Sequence, residues 1–581
     1  MNVRRCCCIV PLLFAIAWTP FVRANDVLHY LPEDSLGFVV VRDLQVFDAK
    51  AQKFVELFEL PIPAPLTFVQ FATGLSDGLD LEGDLLLAVL PGTTQDPTPQ
   101  PMVLLPIEDY EKFSASVNGD ESGEVCRVMV AGEEVLIAKQ GPYALLMNVE
   151  HRETLEVMVT LEAEEVAVLE PLAEWEATND VTLALMPAGL EMLLELGQQG
   201  IEAQRQQFAD RLEDPQFEEI AKQMEKNATI SKWFLNMFGE QFVMGAVGLA
   251  IDDESNLRLA KRVLVNKDGV LGKTKQIEIG QKSPLTGFAE QSYVLAGGGP
   301  FPKSWGDALA AITRKFMEAI PEAHGLEKLE DSKWSELEET YRSMMKGLNY
   351  SAMIMLPGEE GDPLFSNFYG IAKVDDAVAY LDAYAKAMES WNEIMLQTTS
   401  DIHLNYEITQ TTVGDAKACE IVVDVAAAAG GREAPMFNWM LEAMFGEDGK
   451  LHQMLVAANK ETLVYGMAEQ EKLSSVIDNA LKGEASLSNT SEVQATMKLM
   501  SANAPWKIMI SPQGSVQWAT RVVNEFLVHL QGNTVEIPEF PPCPPVGISM
   551  NLVDSKMEFD MVWSAETLKA LAAYIKTCQA L

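Results

Sequence analysis

Basic side chains are scarce in this chain: 43 Lys and Arg stand against 85 Asp and Glu in 581 residues, a formal net charge of −42. A field of that sign repels a phosphate backbone, and no local basic patch offsets it, so the sequence argues against nucleic acid as a partner. Anionic membrane surfaces are disfavoured for the same reason. Histidine is scarcer still. The six, His29, His151, His324, His403, His452 and His529, are far apart and never at ligand spacing. A histidine-based metal site or triad would have to assemble from distant segments. There is no His-Glu-x-x-His, no Cys-x-x-Cys and no Gly-x-Ser-x-Gly elbow. No segment offers 18 apolar residues in a row, so no transmembrane helix is expected once the N-terminus is processed.

That N-terminus is the clearest address in the chain. Arg4 and Arg5 precede an apolar stretch from Cys6 to Val22, and Val22-Arg23-Ala24 fits a small-residue cleavage rule, which reads as a secretory signal peptide over residues 1–24. Asn25 and Asp26 follow the cut, so the cysteine a lipoprotein needs is missing. Cleavage removes three arginines and no carboxylate, leaving 40 basic against 85 acidic residues, or −45. The protein is expected in the periplasm or outside the cell. Three of seven cysteines leave with the signal, and Cys126, Cys419, Cys543 and Cys578 remain. Four cysteines allow three pairings that sequence cannot choose among. A Cys543–Cys578 bridge closing the C-terminal hairpin and helix, or four buried free thiols, are the alternatives.

At roughly 150 residues per domain the length suggests about two to four domains, and 48% hydrophobic residues can fill real cores. Short apolar runs alternate with amphipathic stretches. Residues 35–42 read as a strand before a helix through Lys53-Phe54, 84–92 and 102–105 as strands, 125–139 as a hairpin turned at Gly132, and Tyr143 to Met147 as a strand feeding a helix from Glu150 to Val159. The order returns in the second half. Gly78-Leu79-Asp80 recurs as Gly347-Leu348-Asn349, Leu90-Pro91-Gly92 as Leu356-Pro357-Gly358, Glu108-Asp109 as Asp375-Asp376, Gly132 as Gly414, Met147 as Met467, and Pro187-Ala188-Gly189 as Pro512-Gln513-Gly514. The offsets place an insertion at about 426–455. Each half closes with a hairpin, turned at Asp252-Asp253 or Asp554-Ser555. The expectation is an α+β protein of two similar tandem domains, 25–275 and 285–581, with mostly antiparallel sheets and helices packed on one face.

The opening Tyr30-Leu-Pro-Glu-Asp-Ser-Leu-Gly-Phe-Val-Val-Val-Arg-Asp-Leu44, followed by the Gly-Leu-Asp turn and the Leu-Pro-Gly strand end, resembles a group of uncharacterised secreted proteins of planctomycete type, similar to a wider bacterial domain of unknown function. The resemblance is strongest over the first 160 residues and implies a fold without implying catalytic residues.

Candidate chemistry is thin. Ala296-Gly297-Gly298-Gly299-Pro300-Phe301-Pro302-Lys303-Ser304 has the placement of a phosphate loop, but Pro300 and Pro302 remove two N–H donors, so a tight loop before a helix is the favoured reading. Ser343-x-x-Lys346 has the spacing of a serine nucleophile and its lysine base, without the companion motifs, and reads as an exposed helical face. Asp77, Asp80, Glu82 and Asp84 could ligate calcium through hard oxygens but lack the twelve-residue loop, so solvated turn chemistry is favoured. The 28 methionines, among them Met436, Met440, Met444, Met454 and Met467, can line an adaptable apolar pocket or fill a core. No catalytic, cofactor-binding or metal residue is assigned, and no cofactor is implied. The expected function is a non-enzymatic binding or structural module of the cell envelope. The alternatives are an envelope hydrolase with its site between the halves and a carrier of an apolar ligand such as a lipid.

Overall fold

The computed structural model describes residues 27–580 except 60–65, 68–69, 71–76, 94–95, 118, 120–123, 131, 165, 213–217, 274–284, 320–329, 360, 398–405, 426–434, 468–469 and 483–486. The expected signal segment, most of the connector between the expected domains and the alanine- and glycine-rich start of the expected insertion therefore lie outside the described residues.

The first half forms β1 (Gly37–Val41), α1 (Leu44–Leu57), β2 (Leu85–Leu90), β3 (Gln100–Pro106), α2 (Tyr110–Ser116), β4 (Val125–Val130), β5 (Glu133–Gln140), β6 (Tyr143–Asn148), α3 (Arg152–Thr160), α4 (Ala173–Glu176), β7 (Val181–Leu185), α5 (Pro187–Leu212), α6 (Glu218–Gln241), β8 (Phe242–Ile251) and β9 (Leu257–Val265). The second forms β10 (Leu295–Pro300), α7 (Trp305–Ala319), α8 (Asp331–Gly347), β11 (Leu348–Met355), β12 (Phe368–Val374), α9 (Ala377–Gln397), β13 (Tyr406–Val413), β14 (Ala416–Val423), α10 (Pro435–Phe445), β15 (Leu451–Asn459), β16 (Thr462–Gly466), α11 (Gln470–Lys482), α12 (Ser491–Leu499), β17 (Trp506–Ile510), α13 (Pro512–Gln531), β18 (Val546–Val553), β19 (Lys556–Trp563) and α14 (Ala565–Gln579). No helix of the described residues is long and apolar enough to cross a membrane.

The fold is α+β, and it divides into two compact units. The first comprises the chain to Gly197, Phe242–Val265 and Met557–Ala565; the second comprises Gln198–Gln241, Asn266–Lys556 and Glu566–Leu581. The division is thus not made at one point in the chain. β19 belongs with the first unit, where it pairs with β9, while α6 belongs with the second and packs on α7.

In the first unit the strands lie in the order β4-β5-β6-β3-β2-β1-β7-β8-β9, each antiparallel to its neighbour. Both faces are covered. Phe38 and Val40 of β1 join Leu86, Leu104, Leu145 and Met147 under Leu155 and Met158 of α3. Val41 packs on Leu44 and Phe47 of α1, and Ile137 and Leu146 pack under Phe113 of α2, on the opposite face. Helices are therefore not confined to one face, as the sequence led us to expect. This explains why β1 and β6 read as unbroken apolar runs rather than as alternating ones. α1 starts where Asp43, with a left-handed φ of 46°, accepts a hydrogen bond from the Val46 N–H at 3.1 Å, and it buries Leu44, Phe47, Ala51 and Phe54 along one stripe.

In the second unit the order is β13-β14-β15-β16-β12-β11-β10-β17-β18, again antiparallel. α9 covers one face through Ala377, Leu381 and Ala385, and Ile477 of α11 packs on the other. Here β15 lies between β14 and β16, whereas β5 adjoins β6 directly in the first unit. The hairpins turned at Gly132 and Gly414 therefore do not occupy the same place in their sheets. The helices show why. β4 runs antiparallel to β3, and the 7-residue α2, about 10 Å long, suffices to link them. One more strand makes β13 parallel to β12, so the chain must return the length of the sheet, and the 21-residue α9 spans about 31 Å.

The expected glycine loop is a strand. Gly297, Gly298 and Gly299 lie in β10, between β11 and β17. A Cβ at Gly297 would come within 2.5 Å of the Lys507 carbonyl oxygen, and one at Gly299 within 2.7 Å of the Pro505 carbonyl oxygen. The glycines answer a close approach by neighbours some 200 residues away.

Candidate functional site

A cavity of about 330 Å³ sits on the α3-covered face of the first unit. Its floor is the sheet: Phe38 of β1, Thr182 and Ala184 of β7, and Ala246 of β8. The side chains share a face because antiparallel pairing sets Ala184 beside both Phe38 and Ala246. Its roof is the segment leading into α4, which contributes Val166, Leu169, Leu172, Trp175 and Glu176, and Leu28 and His29 close one side. The two small alanines are what leave the space, since a Leu or Phe at either position would project into it.

Two polar groups in this apolar setting lack partners. Thr182 is 1% exposed, and its Oγ1 makes no hydrogen bond with any described residue; nor does the buried Nε1 of Trp175. A buried hydroxyl left without a partner costs about 1–3 kcal/mol, so its place in the cavity floor calls for a physical reason. The Trp175 segment is held in place from behind. Its backbone carbonyl accepts from Asn179 Nδ2 at 2.9 Å, and the Asn179 amide fits because residue 248 beneath it is glycine. The Arg262 guanidinium carbon lies 5.3 Å from the indole centroid, and Arg262 is itself paired with Asp560 at 2.8 Å and Glu558 at 3.5 Å.

Two carboxylates line the wall: Glu170 is exposed, and the buried Glu176 is paired. Arg42 Nε donates to Glu176 at 3.0 Å, and its Nη1 donates to Asp84 at 2.7 Å. Asp84 also accepts from the Asp43 backbone N–H at 2.9 Å. Glu176 and Asp84 are both held by Arg42, and the cavity offers shape, apolar contact and, from Thr182 and Trp175, two unpartnered hydrogen-bonding groups.

The residues singled out from sequence are not brought together. Ser343 is exposed on α8, and the side chain of Lys346 lies outside the described residues. Asp84 turns to Arg42, while Asp80 accepts from the Glu82 N–H at 3.0 Å, so the acidic turn does not converge. Among the described residues no group of three His, Cys, Asp or Glu side chains is placed to hold a metal ion. His29 reaches the cavity wall. His452 hydrogen-bonds Asp448 at 2.7 Å and Glu420 at 3.2 Å, and His529 stacks on Trp439 with ring centroids 3.8 Å apart; His324 and His403 lie outside the described residues. That stacking and the Trp439–Phe526 edge contact seat α10, which carries Met440 and Met444, on α13.

All four described cysteines are free, so the Cys543–Cys578 bridge does not form, but only Cys126 and Cys419 are buried as free thiols were expected to be. Cys543 hydrogen-bonds Thr567 near the start of α14, and burial pushes its thiol up to about 11. Cys578 is exposed at the other end of that helix, eleven residues or about 16 Å farther on, well beyond disulfide reach.

Sequence reasoning did not single out Thr182 or Trp175. The available signal was one polar residue in the apolar run Val181-Thr-Leu-Ala-Leu185, and it becomes legible only once the pairing shows which face it occupies.

Comparison with known proteins identifies no relative: no family model, no curated protein and no solved structure matches the chain. The resemblance carried by residues 30–44, the Gly-Leu-Asp turn and the Leu-Pro-Gly strand end rests on those sequence features alone.

Proposed function

We propose that this protein is an exported, non-enzymatic binding module of the cell envelope, and that the cavity of the first unit takes a small, largely apolar ligand with one hydrogen-bonding end. The observation that carries the reading is the unpartnered hydroxyl of Thr182, a floor residue of an apolar cavity whose buried wall carboxylate, Glu176, is paired with Arg42 and whose other carboxylate, Glu170, is exposed. A ligand that buries its body against Phe38, Leu169 and Leu172 while bonding Thr182 would gain both terms at once.

We further propose that the units are copies of one ancestral module. Support comes from parallel contacts: Met186 N–H to Leu36 O and Ser511 N–H to Val294 O are both 3.0 Å, and Gly78 O and Gly347 O accept from Glu108 and Asp375 at 3.0 and 2.9 Å. By register Thr182 corresponds to Lys507, which pairs with Gly298 as Thr182 pairs with Val40. Burial lowers the Lys507 ammonium below its usual range, and Ser549 beside it is 2% exposed with no partner for its Oγ among the described residues. The same sheet position thus holds a polar side chain in each unit.

Titration of the full chain with the neutral apolar dye N-phenyl-1-naphthylamine tests the reading. Saturable fluorescence enhancement that Ala184→Phe abolishes is expected. No enhancement, or enhancement that survives Ala184→Phe in a folded variant, contradicts it.

A further inference from the structure

The second unit holds a larger cavity, about 510 Å³, of different character. Its floor is apolar, from Phe288, Ile354, Leu356 and Val476, and its rim is built from uncharged polar groups: the amides of Gln291, Asn479 and Gln517 and the hydroxyls of Ser292 and Ser475. No lysine, arginine or histidine is among its described lining residues, while Glu359 and Asp362 are. In a chain of charge −42 such a wall rejects anions. The nearby Arg521 is turned to backbone, donating to the carbonyl oxygens of Pro357, at 2.9 Å, and Asp362.

The wall is organised in advance. Leu356-Pro357-Gly358, met in the sequence as a strand end, turns at Gly358 with φ 75°, where a Cβ would come within 2.6 Å of Asn367 Nδ2. Asp362 Oδ2 accepts from that same Asn367 amide at 3.0 Å and from the Glu359 backbone N–H at 3.1 Å. One carboxylate thereby ties the turn to the residue that leads into β12. By contrast, the amides of Gln291 and Asn479 hydrogen-bond no described residue, and each offers one acceptor and two donors to whatever enters.

We infer that this cavity binds a neutral polyhydroxylated ligand, a saccharide. Adjacent hydroxyls on a sugar ring both donate and accept, as side-chain amides do, and the C–H face of the ring matches the apolar floor. The volume falls within the roughly 300–1,000 Å³ of small-molecule sites. The inference is independent of the ligand proposed for the first unit.

An array of neutral, anionic and cationic oligosaccharides probed with the full chain, followed by calorimetry on the best hit, tests it. Neutral glycans should be retained, with affinity falling at least tenfold in both Gln291→Leu and Asn479→Leu. Gln291 is exposed and Asn479 half-buried, so neither change should disturb folding, and circular dichroism melts verify this. Retention of no neutral glycan, retention of charged glycans only, or affinity unchanged in both folded variants overturns the inference.

Discussion

Replacing Thr182 with valine should stabilise the protein while weakening its grip on ligand, and these opposite signs make the substitution diagnostic. The side chain is 1% exposed in a strand interior, and its Oγ1 has no partner among the described residues. Folding therefore strips water from that hydroxyl without return, a cost of about 1–3 kcal/mol. Valine keeps the branched shape that suits a strand and removes the desolvation. Urea denaturation of ligand-free recombinant protein should show the midpoint of the first unit's transition moving up at constant slope, by the equivalent of about 1–2 kcal/mol. For a unit of this size that corresponds to a rise in Tm of roughly 2–8 °C. Ligand affinity should fall by about fivefold, since one neutral hydrogen bond is worth roughly 1 kcal/mol. Destabilisation by the same substitution would mean that Thr182 has a partner within the fold, and the reasoning would fail.

Arg42→Ala should cost about 3–5 kcal/mol, because Glu176 and Asp84, both buried, would be left without their cation; thermal melts against wild type measure this. Thiol labelling without reductant should find four reactive cysteines per processed chain, Cys578 reacting in the native state and Cys126 and Cys419 only after unfolding. His452 is lowered by burial, but its bonds to Asp448 and Glu420 outweigh this and hold it above the usual imidazole value. Its stabilising effect is complete below the unfolded value of about 6.5 and is lost as pH rises through the raised one, so wild type should lose stability on that rise relative to His452→Gln. Equal pH profiles for the two proteins would contradict the assignment.

Punctuation was what the sequence made legible. Asp109 and Asp376, matched by spacing, both cap helices, accepting from N–H groups at 3.1 and 2.9 Å. Gly132 and Gly414 both take the positive φ their hairpins require, at 83° and 58°. Such signals are local, set by one residue and its immediate neighbours. What stayed hidden depends on partners far along the chain. Three successive glycines look like a loop until Lys507 and Pro505 are found against them. Burial of both sheet faces removes the alternation that would have told one face from the other. Thr182 looked like an ordinary strand residue because whether its hydroxyl finds a partner is decided by Trp175, Ala246 and the roof segment, none of them adjacent in sequence.

The central claim, that the first unit's cavity is a ligand site, is tested most directly by native mass spectrometry of the full chain purified from its own host. The account predicts a bound small molecule that partitions into organic solvent and is missing from the Ala184→Phe variant purified in the same way. A wild-type spectrum at the bare processed mass, or a bound species unaffected by filling the cavity, would contradict it.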